Sequence, residues 1–401
     1  MPTMPLLAFS LLLHAFVGWR LAPALGSPLA GALLVVVLVV SASTLPFGLG
    51  ARRAGNARRA TLLAWTGLVF MGLFSSLFVL AVARDAVLLA SATVDAMRPG
   101  TIAIAELVVP SARAVVVAAL LVTLWGFSNA RRSARVRRVD VPIAGLPATL
   151  EGFTIAQVSD VHVGPTIRRP FVEKIVATVN GLDADVVAIT GDLVDGSVGE
   201  LAEHVAPLAG LRSREGSFFV TGNHEYYSGA APWVRELRRL GIAVLMNEHV
   251  VVRRGAAALV VAGVTDYGAS RFDAAQASDP RAALAGAPAD AAARILLAHQ
   301  PRSAAAAEAA GFDLQLSGHT HGGQFLPWNF FVRLQQPFTA GLHRWRRMWV
   351  YTSRGTGYWG PPKRFGAPSE ITLVRLVAAR QTAAVAEALP SARAEAPLAG
   401  L

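Results

Sequence analysis

The sequence predicts an α/β sandwich carried behind a block of membrane-spanning helices. Three observations lead there. Four long apolar stretches fill the first 130 residues. From residue 153 onward, short β-rich runs alternate with helical stretches, the pattern of a layered α/β domain. The final portion is rich in strand signals, which points to a second sheet rather than to one doubly wound sheet.

The helical block comes first. The chain is 53% hydrophobic and 16% charged, against about 25% charged in ordinary soluble domains. The apolar excess sits in the first third. A spanning helix needs about 20 mostly apolar residues, and stretches 4–24, 28–50, 60–83 and 107–128 qualify. Arg20 can reach the interface from the end of the first, while Pro110 and Arg113 interrupt the start of the fourth. A cleaved signal peptide is disfavoured, because residues 1–19 carry no Lys or Arg and three more apolar stretches follow. His14, inside the first stretch, reads as a helix-facing polar residue.

Charge sets the expected orientation. Residues 1–138 hold 13 Arg and 3 acids, whereas residues 139–401 hold 24 basic and 23 acidic residues. The net charge of +11 therefore belongs to the membrane part and does not signal nucleic acid. Arg52, Arg53, Arg58 and Arg59 lie between the second and third stretches, and Arg131, Arg132, Arg135, Arg137 and Arg138 follow the fourth. With four helices both groups fall on one side, expected to be cytoplasmic, and the C-terminal domain with them. The expected organisation is a transmembrane region over 1–130, a basic juxtamembrane linker over 131–150, an α/β domain over 151–378 and a disordered Ala/Glu/Pro-rich tail over 379–401. Residues 139–152 read as linker or edge strand.

In the domain, FTIAQVS, DVVAIT, SFFVT, VVV, ALVVAGV, ILLAH, DLQLS, MWVYTS and EITLVRL read as strands. Helices are expected over 170–180, 200–209 and 231–240. Residues 269–293, rich in Ala and Asp, read as an inserted loop. Cysteine is absent, so disulfides and thiolate ligands are excluded and any metal must be held by His, Asp, Glu, Asn or backbone.

The chemistry sits at the strand ends. Asp160 and His162 form D-x-H, Asp192 lies in GD, Asn223 and His224 in GNHE, His299 ends ILLAH, and His319 and His321 form GHTH. Five of the nine histidines fall in these positions. Carboxyl ends of strands are where loops converge on one crevice. Asp160, His162, Asp192, Asn223, His299, His319 and His321 make seven donors, too many for one tetrahedral zinc and suited to two ions sharing a carboxylate.

The series D-x-H, GD, GNHE, H and GHTH, in this order, resembles the calcineurin-like metallophosphoesterases over about residues 153–376. GHTHGGQ and YTSRGTGYWGPPKRFGAPSEITLVRL look like the bacterial membrane-anchored branch, which includes proteins similar to UDP-2,3-diacylglucosamine pyrophosphatases. The resemblance implies a four-layer α/β/β/α sandwich and a phosphoesterase with two divalent ions (Mn, Fe, Zn or Mg). It would put Asp160, His162 and His321 on the first ion and Asn223, His299 and His319 on the second, with Asp192 bridging. His224 would face substrate as the catalytic residue. Two dications acidify a bridging water into a hydroxide nucleophile, and His224 stabilises the transition state or protonates the leaving oxygen. Asp160 is expected also to orient His224 or its neighbour.

Other expectations are looser. Arg354 is a candidate phosphate contact, and a structural ion pair is its ordinary reading. Asp195 either orients the metal loop or is a solvated turn residue, and Asp266 follows a strand near the site. His204, His249 and His343 lie outside the motifs. Residues 326–349 mix aromatics with arginine, which suits a headgroup interface or a packed insertion. The expected partners are the lipid bilayer and a phosphoester, on one reading lipid-linked, in the inner membrane of a bacterium. The competing readings are a tethered hydrolase of soluble nucleotides and a non-catalytic membrane sensor with structural metals.

Overall fold

The computed structural model describes residues 4–51 and 56–379. Arg52, Arg53 and the tail beyond 379 lie outside the described residues.

Four helices, α1 (Met4–Leu21), α2 (Pro28–Leu49), α3 (Ala57–Met97) and α4 (Ile104–Arg131), form the N-terminal block, all long and apolar enough to cross a membrane. The third runs well past its expected end at residue 83. At 1.5 Å per residue its 41 residues extend about 60 Å. Arg84 and Asp85 do not break it, because other helices supply their partners. Arg20 Nε donates to Asp85 Oδ2 at 2.6 Å, and Arg84 Nε and Nη2 donate to Ser111 Oγ and the Val108 carbonyl. Arg113 Nε donates to the Leu25 carbonyl. Charges in an apolar bundle persist when paired this way. His14 is likewise satisfied, with Nδ1 donating to the Ser10 carbonyl, Nε2 accepting from Ser41 Oγ, and the ring stacked on Phe74.

Residues 135–378 form two mixed six-stranded sheets. The first is ordered β1 (Arg135–Ile143), β12 (Glu370–Ala378), β2 (Thr154–Val158), β3 (Val186–Ile189), β4 (Ser217–Phe219), β5 (Ala243–Val244). The second is ordered β10 (Gly341–Trp345), β11 (Met348–Thr352), β9 (Leu314–Ser317), β8 (Ala293–Leu297), β7 (Ala257–Gly263), β6 (Glu248–Arg254). Strands β2 to β5 are parallel, as are β7, β8, β9 and β11. The basic stretch after α4 is thus drawn into the sheet edge, where β1 pairs in parallel with the last strand.

Period-two alternation builds the layers. Ile155, Val186, Ala188 and Phe218 meet Leu259, Val261, Ile295 and Leu316 between the sheets. Ala156, Val158, Val187 and Ile189 face outward beneath α5 (Arg169–Asn180), α6 (Val198–Val205) and α8 (Ala230–Arg239). The spacing of Val172, Ile175, Val176 and Val179 gives α5 one apolar stripe for that sheet. On the far side, α9 (Ala304–Ala310) covers Leu296 and Ala298. The result is α/β/β/α. The expected insertion at 269–293 is a loop with three short 3-10 turns.

The domain is pinned to the helices by adjacent residues of the PPKRF segment. Lys363 Nζ donates to the Gly72 carbonyl at 2.9 Å and to Ser76 Oγ. A Cβ on Gly126 would lie 2.7 Å from Lys363 Cγ, so α4 needs glycine there. Arg364 points the other way, toward the site.

Candidate metal centre

β2, β3 and β4 of the first sheet and β8 and β9 of the second all end at the same edge of the sandwich. Their following loops carry every candidate ligand. Gln157 ties the two sheets just beneath, with Nε2 donating to Thr190 Oγ1 and the Ser317 carbonyl, both at 2.9 Å.

The loops turn by adopting left-handed backbone. Of nine described non-glycine residues at positive φ, five are candidate ligands: Asp160, His162, Asp192, His319 and His321. Such strain is kept where surrounding structure enforces it, typically at functional sites. Close approach explains two of the motif glycines. A Cβ on Gly222 would stand 2.2 Å from Asp192 Oδ1, and one on Gly318 would stand 1.9 Å from Ser159 Oγ.

Two triads form, Asp160–His162–His321 and Asp192–His299–His319, and a third group, His162–Asp192–His224, links them, each with donor atoms within 4.8 Å of one another. Asp192 Oδ2 lies between them, 3.1 Å from His299 Nε2 and 3.9 Å from His162 Nε2. His162 Nε2 and His321 Nε2 face each other at 3.0 Å. His299 Nδ1 donates to the Thr190 carbonyl at 2.8 Å, which leaves its Nε2 lone pair turned into the site. Asn223 Oδ1 is buried with no hydrogen-bond partner. Six convergent His and Asp donors and a buried orphan acceptor just after β4 fit divalent cations.

The charges are strongly perturbed. Burial opposes ionisation of Asp192, yet His299 and His224 beside it hold its carboxyl well below the usual range. Burial raises the Asp160 pKa. It lowers that of His319 to about 3, with help from His299, and it lowers that of His321 with help from Arg364. Titratable groups pushed apart in one crevice mark a functional site.

His224 stands over Asp192. Its backbone N donates to Asp192 Oδ1 at 2.9 Å, and its Nε2 is 4.0 Å from Asp192 Oδ2. Asp195, not Asp160, orients it. Asp195 Oδ1 accepts from both His224 Nδ1 and His162 Nδ1. Asp160 instead accepts the backbone N–H of His319 and lies 3.6 Å from His321 Nε2, too occupied with the GHTH loop to serve His224. Burial pulls the His224 pKa down, but Asp192 and Asp195 outweigh it and push it to about 9. Tyr227 and Trp359 flank the ring edge-on.

Two supporting residues carried no sequence signal. Glu225, the last residue of GNHE, is fully buried and accepts the backbone N–H of Asp192, Leu193, Val194 and Gly222. Burial and the Asp192 carboxylate raise its pKa to about 8, against four donors that favour the ionised form. Buried Arg364 donates to the carbonyls of His321, Arg354, Gly357 and Ala367 and so fixes the GHTH loop.

The looser candidates separate. Arg354 Nη1 donates to Glu370 Oε2 at 3.0 Å. Asp266 accepts from Gln300 Nε2 and the Gly268 N–H, one residue from His299 in contact. His249 and His343 donate to backbone carbonyls. The aromatic-basic segment divides. Trp328 reaches α3, donating to Ser75 Oγ at 3.0 Å, whereas Phe338, Trp345 and Trp349 pack around the β10–β11 hairpin.

Residues 153–323 match the calcineurin-like phosphoesterase family. A metallophosphoesterase of Helicobacter pylori, itself uncharacterised, is 38% identical over 266 residues, covering 66% of this chain and 70% of that protein. This chain belongs to the calcineurin-like phosphoesterase family. Proteins named "transmembrane protein with metallophosphoesterase domain" from Bos taurus and Danio rerio are 40% and 38% identical over 285 and 272 residues. Those matches cover 68% and 66% of this chain but only 64% and 62% of the two animal proteins. In this calcineurin-like phosphoesterase the matched span contains every candidate ligand and ends two residues beyond His321.

Proposed function

We propose that this protein is a membrane-anchored, two-metal phosphoester hydrolase acting on a membrane-associated phosphodiester or pyrophosphate. One observation carries the reading: Asp192 of the triad Asp192–His299–His319 also lies 3.9 Å from His162 of the triad Asp160–His162–His321, and Asn223 Oδ1 is buried without a partner. Asp160, His162 and His321 would hold one ion, Asn223, His299 and His319 the other, and Asp192 both. Bound there, the ions would supply Lewis acidity to the phosphoryl oxygens and an acidified water as nucleophile.

The remaining work falls to the protein. Asp195 fixes His224 Nδ1–H, so the Nε2 proton points into the crevice for the leaving oxygen. Glu225 holds the Asp192 and Asn223 loops in one register. Trp359 and Tyr227 pack edge-on against the general acid and limit its orientations.

Sidedness follows from charge. Arg131 lies over Trp65, so the end of α4 and the first turns of α3 share the end of the bundle that meets the domain. Arg58 and Arg59 at that end, with the arginines after α4, support a cytoplasmic catalytic domain on a multi-pass protein of a bacterial inner membrane. The pyrophosphatase-like branch remains the narrowest form of the proposal.

His224→Ala tests it. Loss of a positioned general acid lowers turnover about 10²–10⁴-fold while bound metal, measured by elemental analysis, stays at the wild-type level. Unchanged phosphodiesterase activity in that variant would refute the assignment and favour a sensor with structural metals.

A further inference from the structure

We propose that the substrate is a bilayer lipid whose hydrocarbon chain lies in a cleft between the spanning helices and the GHTH loop. The inference rests on the hydrolase reading of the same site and names its substrate class and its route of access.

A cavity of about 720 Å³ runs from the helical block to the candidate ligands. Leu13 of α1, Leu45 of α2 and Phe74 and Phe78 of α3 line one end, and His319 and His321 line the other. Its volume falls within the roughly 300–1,000 Å³ of small-molecule sites. The cleft joins a phosphoester chemistry to side chains of helices built for hydrocarbon.

The polar groups along the cleft argue against a water-soluble occupant. Thr320 Oγ1 donates to the Thr339 carbonyl, and Gln324 Nε2 to the Trp359 and Pro361 carbonyls. Gln336 is bonded to Gln300 and to the Arg302 N–H, and Ser75 Oγ accepts from Trp328 Nε1. With these groups satisfied internally, the wall offers an occupant mainly apolar contact, which suits a hydrocarbon chain.

The cleft mouth faces where lipid would be. The short helix α10 (Asn329–Val332) follows Trp328 and leaves Phe330 70% and Phe331 54% exposed. Phe331 packs on Trp328, which lines the cleft and is bonded to α3. Exposed aromatics next to spanning helices are expected at the membrane interface.

The test compares two p-nitrophenyl phosphodiesters that differ only in their second ester, methyl in solution and hexadecyl in mixed micelles. Full-length protein is assayed with Leu13→Trp and Leu45→Trp, which fill the cleft, and with Leu11→Trp on the exposed face of α1. The hexadecyl-to-methyl ratio of kcat/KM should fall at least about tenfold in both filling variants and stay at the wild-type value in Leu11→Trp. An unchanged ratio in the filling variants overturns the proposal, whether or not lipid or detergent occupies the cleft. If neither ester is cleaved, the hydrolase reading fails separately, and a hexadecyl phosphodiester bearing a terminal diazirine decides the cleft. Cross-links to Phe74 or Phe78 that Leu45→Trp abolishes uphold it, and cross-links confined to outward positions such as Leu11 and Leu12 overturn it.

Discussion

At pH 9, above the Glu225 pKa of about 8, replacing Glu225 by Gln should unfold the catalytic domain at a markedly lower temperature, although no candidate ligand is touched. Glu225 Oε1 accepts from Leu193 and Val194, and Oε2 from Asp192 and Gly222, at 2.6–3.3 Å. A glutamine amide has one acceptor oxygen. Whichever way it turns, its NH₂ faces two backbone N–H groups and two bonds are lost. Hydrogen bonds to a charged acceptor contribute about 1.5–3 kcal/mol each, so the loss is about 3–6 kcal/mol. For a unit of this size about 2–4 °C follows each kcal/mol, which predicts a midpoint about 6–24 °C lower. Differential scanning fluorimetry of detergent-solubilised, full-length wild type and Glu225→Gln measures it. A Glu225 that carried a proton would already present an O–H to one pair of amides, and its replacement would then cost little. A midpoint within about 2 °C of wild type would refute the claim that an ionised carboxylate clamps the Asp192 and Asn223 loops.

Two further outcomes are expected. Asp195→Ala removes the acceptor shared by His162 and His224 and should lower metal affinity or kcat/KM about 10–100-fold, with Asp195→Asn recovering part of the loss because its carbonyl oxygen still accepts; equal activity in all three proteins would remove Asp195 from the site. Burial lowers the Lys363 pKa from 10.5 to about 8, so between those values an undocked lysine keeps a proton that the docked one has lost, and stability rises with pH across that window. Lys363→Met should abolish that rise, removing a charge-burial cost of about 3 kcal/mol at neutral pH; thermal midpoints of both proteins from pH 7 to 10 check it, and parallel curves would contradict it.

The site was legible because its residues are local to strand ends. Each of Asp160, Asp192, His299 and His319 follows an apolar run too short for a helix, and the parallel strands bring those ends to one edge. What stayed hidden depends on partners distant in sequence. Arg84 and Asp85 look like the end of an apolar helix until Arg20, Ser111 and the Val108 carbonyl are in place around them. Glu225 looks like any acidic residue in a first helical turn until four amides from two loops converge on it. Asp195 could not be told from a solvated turn residue, since both rings that bind it come from other motifs. Likewise β1 was readable as linker or edge strand, because its pairing partner β12 lies more than two hundred residues away. The cleft combines three helices with a loop near the opposite end of the chain, a juxtaposition no window of sequence contains.

The most direct measurement is hydrolysis of a chromogenic phosphodiester by detergent-purified, full-length protein across a titration of Mn²⁺, Zn²⁺ and Mg²⁺, beside Asp192→Ala. The account predicts activity that requires added or retained metal, about two ions per chain in the wild type, and loss of both activity and metal in the variant. Activity that survives in Asp192→Ala, or wild-type protein that binds no metal under any condition, would contradict it.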